Sequence, residues 1–290
     1  MAFRTVLIKN RCKLEYSLNY LICRQTNEVK RILLDEIKLI IIDSTQVSIT
    51  SFLLAEILNK KIKLIFTDSA HGPLGELVPY QNNFYSYRKI KEQMAFNEEN
   101  KNFLWKKIIE EKIKNQRKLL MTLNEAIAIQ KLEDYENHVL DGDCSNREGH
   151  SAKVYFNALF GSDFSRDRLC DTNKFLNYGY AIVVSSISRE IKSLGFLTEL
   201  GIHHIGESNS FNLSYDLVEP LRPLIDSLVV KKKVDSDNFK ETYIRLLSEM
   251  VEYNNKKIFL DNAIHLYVED LMTYLKTKDE TKIRFIHYEL

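Results

Sequence analysis

Three acidic residues and a histidine pair have the residue types and the spacing that could bind a metal ion. His204 comes twelve residues before Asp216 and fifteen before Glu219, and Glu148 lies in a separate upstream segment. Carboxylate oxygens suit Mg²⁺, and an added imidazole also suits Mn²⁺. Such a site fits phosphodiester chemistry, in which a bound cation neutralises developing charge and orients the attacking oxygen.

Each acidic segment also fits the start of a helix. Ser145 and Glu148 have the spacing of a capping box, in which two side chains satisfy backbone amides at a helix N-terminus. Asp216 could cap a second helix, Glu219 could complete another box, and Pro220 fits an early helical position. On the residues alone, helix capping therefore stays open beside metal binding.

The two histidines lie on a segment bracketed by Gly201 and Gly206, which we expect to bend sharply. A single loop histidine is usually structural or exposed, but His203 and His204 come close in sequence to two acids. A ligating imidazole must be neutral. We therefore expect metal affinity to fall when the pH drops below roughly 6.5.

Composition indicates a folded protein rich in regular structure. The chain has 290 residues, of which 44% are hydrophobic and 28% charged, and only four are proline. Its net charge of +1 gives by itself no reason to expect a nucleic-acid partner. The four cysteines have no C-x-x-C spacing, so neither a zinc ribbon nor a redox motif is supported, and free thiols favour a cytoplasmic location. The most apolar run, at 37–42, is too short to cross a membrane, and no signal peptide is expected.

Periodicity predicts an α+β protein, with a small N-terminal β-rich domain followed by a larger all-α helical domain that carries the active site. The first residues alternate or form short apolar runs, which is typical of strands, with one helical segment at 51–58. Turn-forming residues cluster at 68–75, and helical spacing dominates from about residue 84. The predicted organisation is a β-rich domain at 1–70, a linker at 71–83 and a helical domain at 84–290.

Residues 84–120 carry ten Lys or Arg against five acids, a surplus of five positive charges. A basic stripe on long helices would attract phosphate groups. The alternative is a solvated helix face with Glu–Lys pairs, which is the more common arrangement.

Three motifs also carry a family resemblance, at 147–156 (REGHSAKVYF), 200–206 (LGIHHIG) and 215–223 (YDLVEPLRP). With them, nearly the whole chain resembles the metal-dependent integrase of the CRISPR adaptation complex, the larger of the two proteins that insert spacers. In detail it is most similar to the subfamily of type II systems.

The resemblance implies that Glu148, His204 and Glu219 are catalytic residues and ligands of Mg²⁺ or Mn²⁺. It makes Asp216 a near-site acid, and His203 remains the alternative to His204. The implied reaction is attack of a DNA 3′-hydroxyl on a phosphodiester, and with water in its place the product is a nick. The alternatives are a nuclease that acts without a partner and a non-catalytic helical DNA-binding scaffold.

The resemblance further implies several partners and contacts. The expected nucleic acid is double-stranded DNA, both the spacer precursor and the CRISPR repeat with its leader. The expected protein partners are a second copy bound through the β-rich domain, a small adaptation protein and further type II CRISPR proteins; no membrane is expected. The candidates for phosphate contacts are Lys153, Arg166, Arg168 and Arg222.

Overall fold

The computed structural model describes residues 4–67, 73–77 and 86–290. The chain separates into two compact units, residues 1–82 and 83–290. Most of the predicted linker at 71–83 lies outside the described residues, so the domain boundaries stay a prediction. Its described part includes a strand, Pro73–Glu76.

The first unit consists of strands with one helix. Its elements are β1 (Arg4–Ile8), β2 (Cys12–Ser17), β3 (Tyr20–Arg24), β4 (Val29–Leu33), β5 (Ile37–Ile42), β6 (Val47–Ile49), α1 (Ser51–Asn59), β7 (Lys63–Thr67) and β8 (Pro73–Glu76). One four-stranded sheet has the order β1-β5-β7-β8 and the other β4-β3-β2-β6. β1, β5 and β7 are parallel, whereas β2, β3 and β4 pair antiparallel.

The apolar runs explain this unit. β5 is buried along nearly its whole length because it lies inside its sheet, which is why Ile37–Ile42 lacks polar alternation. Leu14, Leu21 and Leu53 are fully or almost fully buried in the core that the strands and α1 share. Sequence patterning missed β6, since three residues flanked by polar ones give no recognisable period.

The second unit is mainly helical. Its helices are α2 (Ser86–Met94), α3 (Glu98–Met121), α4 (Ala126–Asn137), α5 (Arg147–Phe160), α6 (Asp171–Ser193), α7 (Asn212–Val218), α8 (Arg222–Val230), α9 (Phe239–Leu246) and α10 (Leu260–Thr277). Strands followed by helices confirm the predicted α+β class.

The expectation that this unit is all-α was wrong in one place. α9 ends at Leu246, and β9 (Met250–Tyr253) pairs antiparallel with β10 (Lys256–Phe259) inside the range predicted to be helical. Asn254 and Asn255 both adopt positive φ, which forms a two-residue hairpin turn. Turn chemistry therefore overrode the apolar spacing.

α3 is the helix against which the site is built. Leu104, Trp105, Ile108 and Ile113 are completely buried along it. It packs on α4, α5, α8 and α10, and on a short 3-10 turn at Glu219–Leu221. A single helix of 24 residues, buried along one face, thus gives several site segments one common support.

Among the residues that the structure describes, none of the helices combines the length and apolar character needed to span a bilayer.

Candidate metal centre

Glu148 lies in the first turn of α5, held there by an acid that the sequence analysis did not single out. The Asp143 carboxylate accepts hydrogen bonds from the backbone amides of Arg147 and Glu148, at 2.8 and 2.9 Å. Asn146 caps the helix through the Gly149 amide. The predicted capping box was wrong, because Ser145 Oγ has no hydrogen-bond partner among the described residues. The Glu148 side chain is thereby released from capping.

Glu219 begins the 3-10 turn between α7 and α8, and its side chain is only 2% exposed. The turn is fixed through the next carbonyl, since Pro220 O accepts hydrogen bonds from Asn115 Nδ2 at 3.1 Å and Tyr288 Oη at 2.6 Å. Pro220 occupies the early position expected for it. Neither the 3-10 turn nor α8 has a side-chain cap, so Glu219 does not complete a capping box.

A lysine joins the two glutamates. Lys112, from the middle of α3, places Nζ 2.8 Å from Glu148 Oε1 and 2.5 Å from Glu219 Oε2. The Lys112 side chain is 7% exposed and that of Glu148 26%, so the cluster is closed on the Glu219 side and open on the Glu148 side. Burial lowers the pKa of Lys112, but the charges of Glu219 and Glu148 outweigh it and raise the pKa.

Arg222 supplies a second cation to Glu219, with Nε 2.8 Å from Oε1. Burial raises the pKa of Glu219, but the charges of Arg222 and Lys112 outweigh that effect and lower the pKa to about 2. Glu219 is therefore ionised at every physiological pH and is a permanent acceptor for a cation.

Asp216 organises the histidine loop. It lies inside α7 and is fully buried, so the expectation that it caps that helix was wrong. Its carboxylate accepts the backbone amides of Ile202, His203 and His204 at 2.5, 3.1 and 3.1 Å. It also pairs with His204 Nδ1 at 2.6 Å.

This pairing fixes how His204 can act. When Nδ1–H donates to the carboxylate, the lone pair of the neutral ring lies on Nε2, which is the usual arrangement of a metal-binding histidine. The hydrogen bond to Asp216 raises the pKa of His204, and the charges of Glu219 and Glu148 add to it. His204 therefore lies within electrostatic reach of both glutamates. The pKa of His204 is thus higher than that of a free imidazole, so protonation should compete with metal binding more strongly than the sequence alone indicates.

His203 has a different environment. Its ring stacks on Trp105 with centroids 4.3 Å apart and planes 4° apart, while His204 meets Trp105 edge-on at 5.7 Å. The stack anchors the loop to α3. Of the two imidazoles, His204 is thus the one that a carboxylate orients.

Gly201 is required for space and not for a bend. A Cβ there would lie 2.2 Å from the His204 carbonyl oxygen and 2.8 Å from Asp216 Oδ2. At Gly206 the nearest contact would be 3.4 Å, which is close to ordinary. The segment does bend, at Ile202 and His203, as expected. Neither glycine has positive φ, so the bend does not depend on a left-handed glycine.

The donor set fits a hard divalent cation. Two ionisable carboxylates and an imidazole with a free Nε2 match the preferences of Mg²⁺ and Mn²⁺, and a cationic group already lies between the carboxylates. Within the described ranges, no three His, Cys, Asp or Glu side chains stand close enough to form a ready-made site. Lys112 contacts both Glu148 and Glu219, so a cation already lies between the two carboxylates.

A buried acid lies under the site, next to Arg222. Asp226 accepts hydrogen bonds from Tyr155 Oη, at 2.8 Å, and from Tyr180 Oη. The Arg222 guanidinium lies over the Tyr180 ring at 4.6 Å. Burial raises the pKa of Asp226 to about 6, although both tyrosines lower it. This network connects α5, α6 and α8 beneath Glu219.

The four candidates for DNA contact have different surroundings. Lys153 on α5 and Arg168 after it are exposed. Arg166 donates to Asn173 Oδ1 and Asn177 Oδ1, each at 2.5 Å. Arg222 is bound to Glu219, so both of these guanidinium groups already have internal partners.

Most cations of the basic stripe pair with acids. Eight of its ten Lys and Arg have a carboxylate within 4 Å, namely Arg88, Lys89, Lys101, Lys106, Lys107, Lys112, Lys114 and Arg117. The helix surface thus matches the alternative of Glu–Lys pairing. Lys112, counted only as part of the stripe, is the site residue that the sequence analysis missed. Its spacing from Ile108 and Ile109, which are buried, placed it on the inner face of α3.

Fold and site together define an α+β protein whose helical unit carries two carboxylates on one lysine and an imidazole oriented by a third carboxylate. The model of the family "CRISPR associated protein Cas1" matches residues 5–260. The chain therefore belongs to the Cas1 family.

Individual relatives agree with this membership. A CRISPR-associated endonuclease Cas1 from Neisseria meningitidis serogroup C (strain 8013) is 34% identical over 230 residues, which cover 79% of this chain and 76% of the relative. A casposase bound to its integration product has a TM-score of 0.77 at 20% identity, covering 96% of this chain and 92% of that one. A Cas6-RT-Cas1–Cas2 complex has a TM-score of 0.77 at 16% identity, covering 97% of this chain and 36% of that one. The two structures show a shared fold.

Asp143, not Ser145, is expected to stabilise the start of α5. Replacing Asp143 by Ala removes the acceptor of two helix amides, so the free energy of unfolding should fall by about 1–2 kcal/mol. Ser145→Ala, the matched control, should change it by less than about 0.5 kcal/mol. Urea denaturation measures both, and equal effects would contradict the assignment.

Gly201→Ala should disrupt the histidine loop, because the new Cβ would overlap the His204 carbonyl. We expect a loss of about 1–3 kcal/mol in unfolding free energy. Mn²⁺ affinity, measured by calorimetry, should fall as well. Gly206→Ala places the same methyl group on the same loop without overlap and should be close to wild type. A wild-type result for Gly201→Ala would show that the loop is not packed as described.

Asp226 should make stability depend on pH. Its pKa is about 6 in the folded protein and near 3.8 when unfolded. The folded state therefore retains a proton that the unfolded state loses. Stability should then fall as the pH rises from about 4 to 6, by on the order of 2–3 kcal/mol.

Urea denaturation at several pH values tests this slope. Asp226→Asn should remove it, whereas Asp237→Asn, at an exposed position, should keep it. If the unfolding free energy of Asp226→Asn still falls with rising pH, other groups cause the pH dependence.

Proposed function

We propose that this chain is a metal-dependent DNA integrase and endonuclease of CRISPR adaptation. Its main reaction would be insertion of spacer DNA into a CRISPR array, by attack of a DNA 3′-hydroxyl on a phosphodiester of the repeat. Membership of the Cas1 family and a relative named an endonuclease support the class of activity. The casposase, described as bound to an integration product, supports strand joining.

One observation carries the proposal for the site. The Glu148 and Glu219 carboxylates converge on the same cationic group, and Asp216 orients the His204 ring, which the charges of both glutamates reach. Carboxylate oxygens and a neutral imidazole are the kinds of ligand that Mg²⁺ and Mn²⁺ take in proteins. Glu148, His204 and Glu219 are therefore the proposed ligands of Mg²⁺ or Mn²⁺.

When bound, the ion would supply Lewis-acid stabilisation of the charge that develops on the phosphate. Side chains of the protein orient the proposed ligands and set their charge. Asp216 holds the neutral tautomer of His204, and Arg222 keeps Glu219 ionised. In the joining reaction, phosphorus forms a bond to the incoming 3′ oxygen and its bond to the target's own 3′ oxygen breaks. Water as the nucleophile gives a nick.

DNA contacts are proposed at the exposed cations first. Lys153 lies on α5, the same helix as Glu148, and Arg168 follows that helix, so both can meet phosphates near the site. Arg166 and Arg222 would have to give up internal partners to do so.

The proposed partners are double-stranded DNA, a second copy and a small adaptation protein. The structural neighbour that contains Cas1–Cas2 supports the small partner. Leu18 and Phe52 in the first unit are 87% and 59% exposed, which supports an apolar contact of that unit with another protein. Membership of the type II subfamily, with its further CRISPR proteins, remains part of the proposal.

The two alternatives differ in what supports them. A nuclease that acts alone would use the same residues and release only hydrolysed ends. A non-catalytic scaffold requires the acids to be helix caps. Asp216 instead binds a loop, and Glu219 binds Lys112 and Arg222, which supports a role other than helix capping for both acids.

Strand joining of a short duplex into a supercoiled target tests the proposal. Wild type with Mn²⁺ should yield joined product, and chelator should remove it. Glu148→Gln and His204→Ala should each lower the joining rate by more than about 100-fold, since loss of a ligand should exceed the effect of losing its outer partners. Gel analysis separates joined strands from nicked ones.

His138→Ala replaces an exposed histidine on another segment and should join like wild type. Circular dichroism should show that every variant is folded. Joining that persists in chelator, or in both folded site variants, would refute the metal centre. Hydrolysed ends without joining would favour the lone nuclease.

A further inference from the structure

Lys112 differs from the other lysines of its helix. Lys101, Lys107 and Lys114 pair with Glu98, Glu110 and Glu111 of the same helix, three positions away. In each pair the lysine side chain is at least partly exposed, although Glu111 itself is buried. Lys112 is buried and reaches two other segments of the chain. A buried lysine is rare and persists only when fully paired.

Its partners are the two proposed acidic ligands. Nζ lies 2.8 Å from Glu148 Oε1 and 2.5 Å from Glu219 Oε2, so a positive centre lies between these acids. Oxygen ligands of Mg²⁺ lie at about 2.0–2.1 Å. An ammonium and a divalent ion cannot both lie between the same two carboxylates, because their volumes would overlap and like charges would repel.

The charges lead to the same conclusion. The charges of the four groups in direct contact, Glu148, Glu219, Lys112 and Arg222, sum to zero, and the nearby acids Asp216 and Asp226 have their own partners. Adding a divalent ion while Lys112 stays in place would leave two extra positive charges in a buried site. The lysine side chain is a flexible four-carbon chain. Its ammonium can therefore move away from the two carboxylates while the backbone of α3 stays fixed.

We propose that Lys112 is a placeholder cation: its ammonium holds Glu148 and Glu219 together in the metal-free protein and yields that position to the divalent ion. This inference rests on the proposed function, since it uses the same metal ligands. Lys112 is a positioning residue, because it acts through the two glutamates. Removing its charge makes the metal-free protein less stable and binding of the metal tighter.

Calorimetric titration with Mn²⁺ tests the competition. Lys112→Gln keeps two amide donors for the carboxylates but removes the charge, and it should bind Mn²⁺ about 10-fold more tightly than wild type. Lys112→Arg keeps the charge and should stay within about threefold of wild type. Lys114→Gln, on the same helix but paired with Glu111, is the matched control and should not change the affinity.

Thermal unfolding gives a second measure. Without metal, Lys112→Gln should melt below wild type, and saturating Mn²⁺ should raise its melting temperature more than it raises that of wild type. Equal or weaker Mn²⁺ binding by folded Lys112→Gln would overturn the placeholder role.

The wild-type protein provides a measure that needs no variant. The amine of Lys112 should resist acylation without metal and react faster with Mn²⁺ bound, as measured by peptide mass spectrometry with Lys114 as the internal reference. Unchanged reactivity of Lys112 would also overturn the inference.

Glu219→Gln separates this inference from the proposed function. If wild type binds Mn²⁺ and Glu219→Gln does not, the metal centre stands, and only the behaviour of Lys112 decides the placeholder role. If wild-type binding is absent or insensitive to Glu219→Gln, the metal centre itself fails.

Discussion

The site depends on opposite charges buried together. Glu219 is almost inaccessible, and its ionised form persists only because Lys112 and Arg222 contact both of its oxygens. Removing one partner from such a group leaves a buried charge unpaired, which is among the most costly changes a core can suffer. The positions of α3, α8 and the 3-10 turn are therefore tied to one another by electrostatics as much as by apolar packing.

Asp216 is a second buried charge that needs partners, and its partners lie on a loop. A buried carboxylate needs donors, and here three consecutive amides and one imidazole provide them. The loop must wrap closely around the carboxylate, which leaves no room for a side chain at Gly201. Together with the stack of His203 on Trp105, these bonds hold the loop in one conformation and orient the His204 ring.

The sequence predicted the α+β class, most of the strands and the long helices, because these rest on periodicity. It did not predict the hairpin at Asn254 and Asn255, since a positive φ leaves no apolar signature. In the site, residue types identified the acids and His204 as candidates, but not what each acid contacts. Those contacts join residues far apart in the chain, as between Lys112 and Glu148, and spacing carries no information about them.

The contacts of α3 determine where the chain can accept insertions or deletions. Trp105, Lys112 and Asn115 lie along its inner face and contact the histidine loop, the glutamates and Pro220, respectively. One residue inserted between Trp105 and Lys112 would rotate everything after it by about 100° and move those groups out of register with each other. The exposed segment between α5 and α6 is not helical, so an insertion there does not rotate site residues out of register. Natural variation in length should therefore accumulate there and be absent from the central turns of α3.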